Sequence, residues 1–160
     1  MEWFSNKVKG LSNVLNIIAG ISITFIIVLT VVDVILKNRK MAITGTYELC
    51  MFAGAMVISF ALPMTTFAKG HVLVDFLVLK FSRKMRNFIN IVTRLMGVFL
   101  FAIASWNMFK IGMSLARTGE VSMTLQLPMY PIAYGIAFSF LVQCLVLITQ
   151  IGQIIRGSYE

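Results

Sequence analysis

Residues 10–32 carry no charged side chain. As a helix, a run of that length rises ~35 Å at ~1.5 Å per residue, enough to cross the ~30 Å hydrocarbon core of a bilayer. Three further stretches meet the same requirement of about 20 apolar residues. The chain is therefore expected to be an all-α integral membrane protein with four transmembrane helices, at about residues 11–36, 47–68, 88–113 and 131–155. Only 12% of its residues are charged, about half the ~25% usual in soluble domains. A soluble fold of this size could not hide so much apolar surface, whereas lipid can cover it. The 160 residues leave room for one membrane domain and short connections. The first run is longer than the ~7–15-residue apolar region of a signal peptide, and no A-x-A site closes it, so it is expected to stay in the protein as a helix.

The third span is the least regular. Its charge-free centre covers only residues 95–109, flanked by Arg94 and Lys110. Both side chains are long enough to snorkel toward opposite interfaces, so the helix still spans. Basic residues also set the expected orientation. Nine lie on the side of the N-terminus: Lys7, Lys9, Lys69, Lys80, Arg83, Lys84, Arg86, Arg94 and Arg156. Five lie on the other: Lys37, Arg39, Lys40, Lys110 and Arg117. Both termini are therefore expected in the cytoplasm, although the first outer loop alone holds three cations. A net charge of +8 can signal nucleic-acid binding. Here the cations are scattered between apolar runs, and contact with membrane-lipid headgroups explains them better.

Two connections are more than tight turns. Residues 71–86 mix Val72, Phe76, Leu77 and Leu79 with Lys80, Arg83 and Lys84, a pattern suited to an amphipathic helix along the cytoplasmic interface. The connection 116–130 ends with Pro128 and leads to Pro131. Two prolines three apart impose an extended entry into the fourth helix, and Pro131 fits its first turn, where the missing N–H costs little. Tyr130 and Tyr134 suit an interfacial aromatic belt.

Ionisable groups within membrane spans are functional candidates by default. Asp33 lies near the outer end of the first helix, one turn before Lys37, so an i,i+4 pair is available. Glu48 opens the second helix, where the helix dipole favours a carboxylate. Neither lies at the bilayer centre, where an ion-coupling carboxylate belongs, so anchoring of helix ends or pairing with a partner protein outweighs ion transport. His71 and Asp75 are one turn apart at the inner interface. A metal site needs three or four ligands, and no cofactor or metal is expected. The serines and threonines have no convergent histidine to act as base, so no enzyme activity is expected. Cys50 and Cys144 sit ~5 and ~20 Å along helices that start at the same face, too far apart in depth for a disulfide. They read as packing residues. Gly112-x-x-x-Ala116, Gly135-x-x-x-Ser139 and Ala55-x-x-x-Ser59 are spacings that let helix backbones approach closely. The midplanes offer only Ser, Thr, Asn107 and Gln143. A lone transporter places its substrate groups there, so the chain is expected to assist a partner.

Three motifs in order carry a family resemblance. Gly45-Thr-Tyr-Glu-Leu49 opens the second helix with a Glu-Leu pair. Gly70-His-Val-Leu-Val-Asp75 follows that helix. Ser122-Met-Thr-Leu-Gln-Leu-Pro-Met-Tyr-Pro131 leads into the fourth. Together, in a four-helix chain, they resemble the small membrane subunit of tripartite ATP-independent periplasmic (TRAP) transporters, the DctQ-like or SiaQ-like proteins. The chain departs from the family where Lys37-Asn38 stands in place of a common Arg-Tyr pair, keeping a charge without the bidentate guanidinium.

The resemblance implies a multi-pass protein of the bacterial inner membrane and a scaffold role in sodium-coupled uptake of an organic acid. Sialic acid and C4-dicarboxylates are among the acids it leaves open. It also implies two partners: a large DctM-like membrane subunit holding the substrate and sodium sites, and a periplasmic DctP-like solute-binding protein. On that basis Asp33, Lys37, Glu48, His71, Asp75, Pro128 and Pro131 are subunit-interface or structural positions. The alternative is a self-sufficient four-helix transporter working as a homodimer, with Glu48 as its essential carboxylate.

Overall fold

The computed structural model describes residues 2–41, 43–68 and 83–155. It contains four helices: α1 (Glu2–Asn38), α2 (Thr46–Phe67), α3 (Arg83–Thr118) and α4 (Tyr130–Ile155). Each is long and apolar enough to cross a membrane. α1 and α3 run past their expected ends, because helical hydrogen bonding continues where hydropathy stops, whereas α2 and α4 match theirs to within one residue. α1 already begins at Glu2, and α3 begins at Arg83, so residues 83–86, expected in the interfacial segment, start the third helix. The rest of that segment, with His71 and Asp75, lies outside the described residues.

Helix ends follow local chemistry. After α1 the amides of Arg39 and Lys40 return to the carbonyls of Leu36 and Lys37, and Lys40 takes a left-handed φ of 59°. Gly45, at φ 89°, precedes α2. A Cβ there would lie 2.5 Å from Leu125 Cγ, so both conformation and space call for glycine. Gly119, at φ 67°, closes α3 in the left-handed conformation common just past a helix end. Pro131 is the second residue of α4, in the first turn, as expected.

α4 is the hub. It packs against α3 on one side and α2 on the other and also touches α1, while α1 packs mainly on α2. Spatial order is thus α3, α4, α2, α1, which is not chain order. Val142, Val146, Ser139 and Gln143 of α4 are fully buried. Leu15 and Ala19 of α1 and Phe60 of α2 join Val142 in the core. α3 meets α4 through Phe101 against Phe140 and Phe109 against Tyr134. The Ser105 hydroxyl also donates to the Ala137 carbonyl at 2.8 Å. The outer faces of α1 and α3 present Ile17, Ile21, Val28, Met96, Phe99 and Leu100, all exposed. Hydroxyls of Thr24, Thr30 and Thr93 on these faces donate to carbonyls one turn back, which satisfies them in a medium without water.

The small-residue spacings find their counterparts. Ser59 and Ser139, which close two of these spacings, meet at the α2–α4 crossing, where a Cβ on Gly135 would lie 3.3 Å from Phe60 Cζ. Gly112 of α3 makes room for the Tyr134 ring, two of whose carbons would lie 3.0 Å from a Cβ at that position. Cys50 and Cys144 are both free thiols.

Candidate functional site: polar groups at the loop end and along α4

Polar side chains gather in two places. The first is the end of the bundle where α1 passes into α2 and α3 into α4. Glu48, in the first turn of α2, reaches across to the connection 119–129. Its Oε2 accepts the Ser122 hydroxyl at 2.6 Å and the Leu125 amide at 3.0 Å. Its Oε1 accepts the Thr124 amide at 2.8 Å. The Ser122 hydroxyl in turn accepts the Leu127 amide at 3.3 Å, and the Ser122 amide donates to the Leu127 carbonyl at 2.9 Å. Val121 and Pro128 form a single antiparallel bridge, a position a proline tolerates at an unpaired edge. The connection is therefore a closed loop clamped by one carboxylate, and it leaves Met123 99% exposed at its tip.

Asp33 organises the neighbouring turn. Its Oδ2 lies 2.6 Å from Lys37 Nζ, the i,i+4 pair anticipated from spacing. Its Oδ1 accepts the Ile43 amide at 3.2 Å, and the Thr46 hydroxyl donates to the Ile43 carbonyl at 3.0 Å. Asp33 is buried and its lysine partner is not. Each carboxylate thus fixes one inter-helix connection at the same end of the bundle.

The second gathering runs along the inner face of α4, where Ser139 and Gln143, noted above only as a small-residue spacing and a midplane polar group, find partners on α2. Pro63 sits inside α2. It has no N–H to offer the carbonyl of Ser59 four residues earlier, and at membrane depth an orphaned carbonyl is costly. The Ser139 hydroxyl of α4 donates to that carbonyl. One turn on, Gln143 Nε2 donates to the Thr66 hydroxyl at 2.7 Å. Farther along, Gln150 Nε2 donates to the Thr66 carbonyl at 2.6 Å, near the C-terminal end of α2. Gln150 Oε1 accepts from Arg94 Nε at 3.1 Å, so this arginine is tied to α4 rather than only reaching for the interface. Lys110, at the other end of the same span, lies 5.5 Å over the ring of Trp106. A proline inside an apolar run is a visible signal that a neighbour must supply a donor. Which neighbour is not visible.

These groups bind helices to one another. Among the described residues, Gln143 Oε1 is the one buried side-chain polar atom without a hydrogen-bond partner, and no three His, Cys, Asp or Glu side chains converge as a metal site. Glu48, the carboxylate an ion-coupled carrier of this size would need, is clamped by a loop at one end of the bundle. A long apolar groove of about 590 Å³ does open between α3 and α4, lined by Trp106, Phe109, Tyr134, Phe138 and Leu141 among others. It has the character of the surrounding lipid-facing surface.

No curated protein and no solved structure matches the chain. A family model does, across residues 26–157, from the second half of α1 through the last turn of α4. The match takes in the clamped loop, both prolines that flank its exit and the polar face of α4, and by it the chain belongs to the family of tripartite ATP-independent periplasmic transporters, DctQ component.

Proposed function

We propose that the chain is the static small subunit of a sodium-coupled TRAP transporter in the bacterial inner membrane. In this arrangement both termini face the cytoplasm and the clamped loop faces the periplasm. A large DctM-like subunit carries the organic acid and sodium and moves against the small one. A DctP-like binding protein delivers the substrate, a carboxylate such as sialic acid or a C4-dicarboxylate. Asp33, Lys37, Glu48, Pro128 and Pro131 hold the periplasmic end in shape. His71 and Asp75 are assigned to the cytoplasmic side of the same scaffold.

One observation carries the proposal beyond family membership. Buried Ser139, Gln143 and Gln150 of α4, with half-buried Arg94 of α3, bind helix to helix. A carrier instead keeps such groups at the midplane available to its cargo. A bundle tied in this way supports a load without passing one. The family is a transporter component and not an enzyme family, and no catalytic role is assigned.

The test is reconstitution. The chain purified in mild detergent is expected to bring down the large subunit, and liposomes are expected to take up substrate only with small subunit, large subunit and binding protein together. Glu48→Gln in that complete system is expected to leave sodium dependence intact. Uptake by liposomes holding this chain alone, abolished by Glu48→Gln, would replace the scaffold by the homodimeric carrier.

A further inference from the structure

The two outermost helices have apolar spans of very different length. In α1 the charged residues that bound the span are Lys9 and Asp33, twenty-four positions apart, or ~36 Å along the helix. In α3 they are Arg94 and Lys110, sixteen positions apart, or ~24 Å. The hydrocarbon core of a bilayer is ~30 Å thick, so α1 covers it with length left for tilt, whereas α3 falls ~6 Å short. Because the helices lie in the order α3, α4, α2, α1, the short and the long span stand at opposite edges of the bundle.

Long cationic side chains can make up such a shortfall by reaching outward. On α3 they are held in. Lys110 turns back toward the middle of the span, where its Nζ lies 5.5 Å over the Trp106 ring, and it forms no ion pair among the described residues. Asn107, exposed on the same stretch and donating to the Ile103 carbonyl at 2.9 Å, brings a polar group still closer to the centre. Arg94 reaches the Asn90 carbonyl, one turn outward, through Nη1 at 3.3 Å, but its Nε is tied sideways to Gln150 Oε1 at 3.1 Å. Between these groups α3 exposes Leu95, Met96, Phe99, Leu100 and Ile103. An apolar face bounded by a cation without a carboxylate fits lipid, whose phosphates complement the charge, better than it fits another apolar helix.

We infer that the α3 edge is a lipid-facing surface that draws the bilayer thin, with headgroup phosphates pulled in toward Arg94 and Lys110, while the α1 edge takes a bilayer of ordinary thickness. A short span is accommodated by thinning of the surrounding lipid, and short-chain lipid supplies a thin bilayer without being deformed. Neither the subunit assignment nor the sidedness of the bundle enters, since thickness is the same from either face.

The test uses the full chain in dioleoylphosphatidylcholine vesicles doped with phosphatidylcholines carrying dibrominated myristoleoyl, oleoyl or erucoyl chains, which quench a tryptophan they touch. With Trp3→Phe, the reporter is Trp106 on α3, and myristoleoyl lipid is expected to bind there roughly threefold more strongly than erucoyl lipid. With Trp3→Phe, Trp106→Phe and Ile21→Trp, the reporter stands on the exposed face of α1, where the oleoyl lipid is expected to bind best. Asn107→Leu with Lys110→Leu moves the bounding charge out to Arg117 and is expected to bring the preference at Trp106 below roughly twofold. Equal preferences at the two edges overturn the thinned edge, and that comparison needs neither polar substitution. A preference at Trp106 that survives the double variant overturns it too. Trp106 left unquenched by every lipid while the α1 reporter is quenched gives the α3 face to a second copy of the chain, and overturns it as well.

Discussion

Replacing Ser139 by alanine removes a single hydroxyl, yet its cost depends on a proline 76 positions earlier in the chain and on another helix. In the native bundle that hydroxyl is the donor to the Ser59 carbonyl, which Pro63 leaves without its helical partner. Both serines are buried, so no water replaces the donor. A buried acceptor left unpaired costs about 1–3 kcal/mol, whereas an ordinary hydrogen bond between membrane helices contributes about 0.6 kcal/mol. In a Pro63→Ala background the alanine N–H returns to the Ser59 carbonyl and the serine becomes a second, dispensable donor. Ser139→Ala is therefore expected to cost about 1–3 kcal/mol in the native protein and about 0.6 kcal/mol beside Pro63→Ala. The coupling, on the order of 1–2 kcal/mol, is what a double-mutant cycle isolates. Reversible unfolding by SDS titration from dodecylmaltoside micelles, followed by tryptophan fluorescence, gives the four stabilities. Equal costs in both backgrounds would refute the compensation of Pro63 by Ser139, whatever the absolute values.

Glu48→Gln keeps the size of the side chain but removes the charge that attracts two backbone amides and a hydroxyl, so the amides of Thr124 and Leu125 are expected to exchange with deuterium at least several-fold faster. Unaltered protection of these two amides would mean that the loop holds its shape without the carboxylate. Gly112→Leu places a side chain where the Tyr134 ring already comes within 3.0 Å of the Cβ position; overpacking of this kind costs about 1–3 kcal/mol. Gly112→Leu with Tyr134→Ala is expected to recover part of that loss in the same SDS titration, and a double variant no better than the single one contradicts the contact.

The four spans are legible because each is a long apolar run, and a membrane converts such runs into helices with little ambiguity. The Asp33–Lys37 pair is legible for a similar reason: its partners are one turn apart on one helix. Glu48 stands out as a carboxylate at a helix start, but its partners Ser122, Thr124 and Leu125 are separated from it by two whole helices, and nothing local names them. The small-residue spacings announce close approach without saying to what. The contacts of Ser139 with Ser59 and of Gly135 with Phe60 follow from α4 lying between α2 and α3, which chain order does not give. The roles of Pro63 and of the Gln143 and Gln150 amides are hidden for the same reason: a glutamine on a membrane helix has no preferred partner until the neighbouring helix is known.

Placing the last helix at the centre has a consequence for synthesis. A ribosome delivers α1, α2 and α3 before α4 exists, and of these only α1 and α2 pack extensively on each other. For that interval, among the described residues, α3 lacks the helix it packs against most, and the Ser59 carbonyl beneath Pro63 lacks its Ser139 donor. The chain thus waits in the membrane as a hairpin and a loose third helix, and the arrival of the C-terminal span locks all three at once. Loss of even the last few turns of α4 would remove Gln143 and Gln150 together, so a chain cut short there would leave the insertion machinery with two pieces and no keystone.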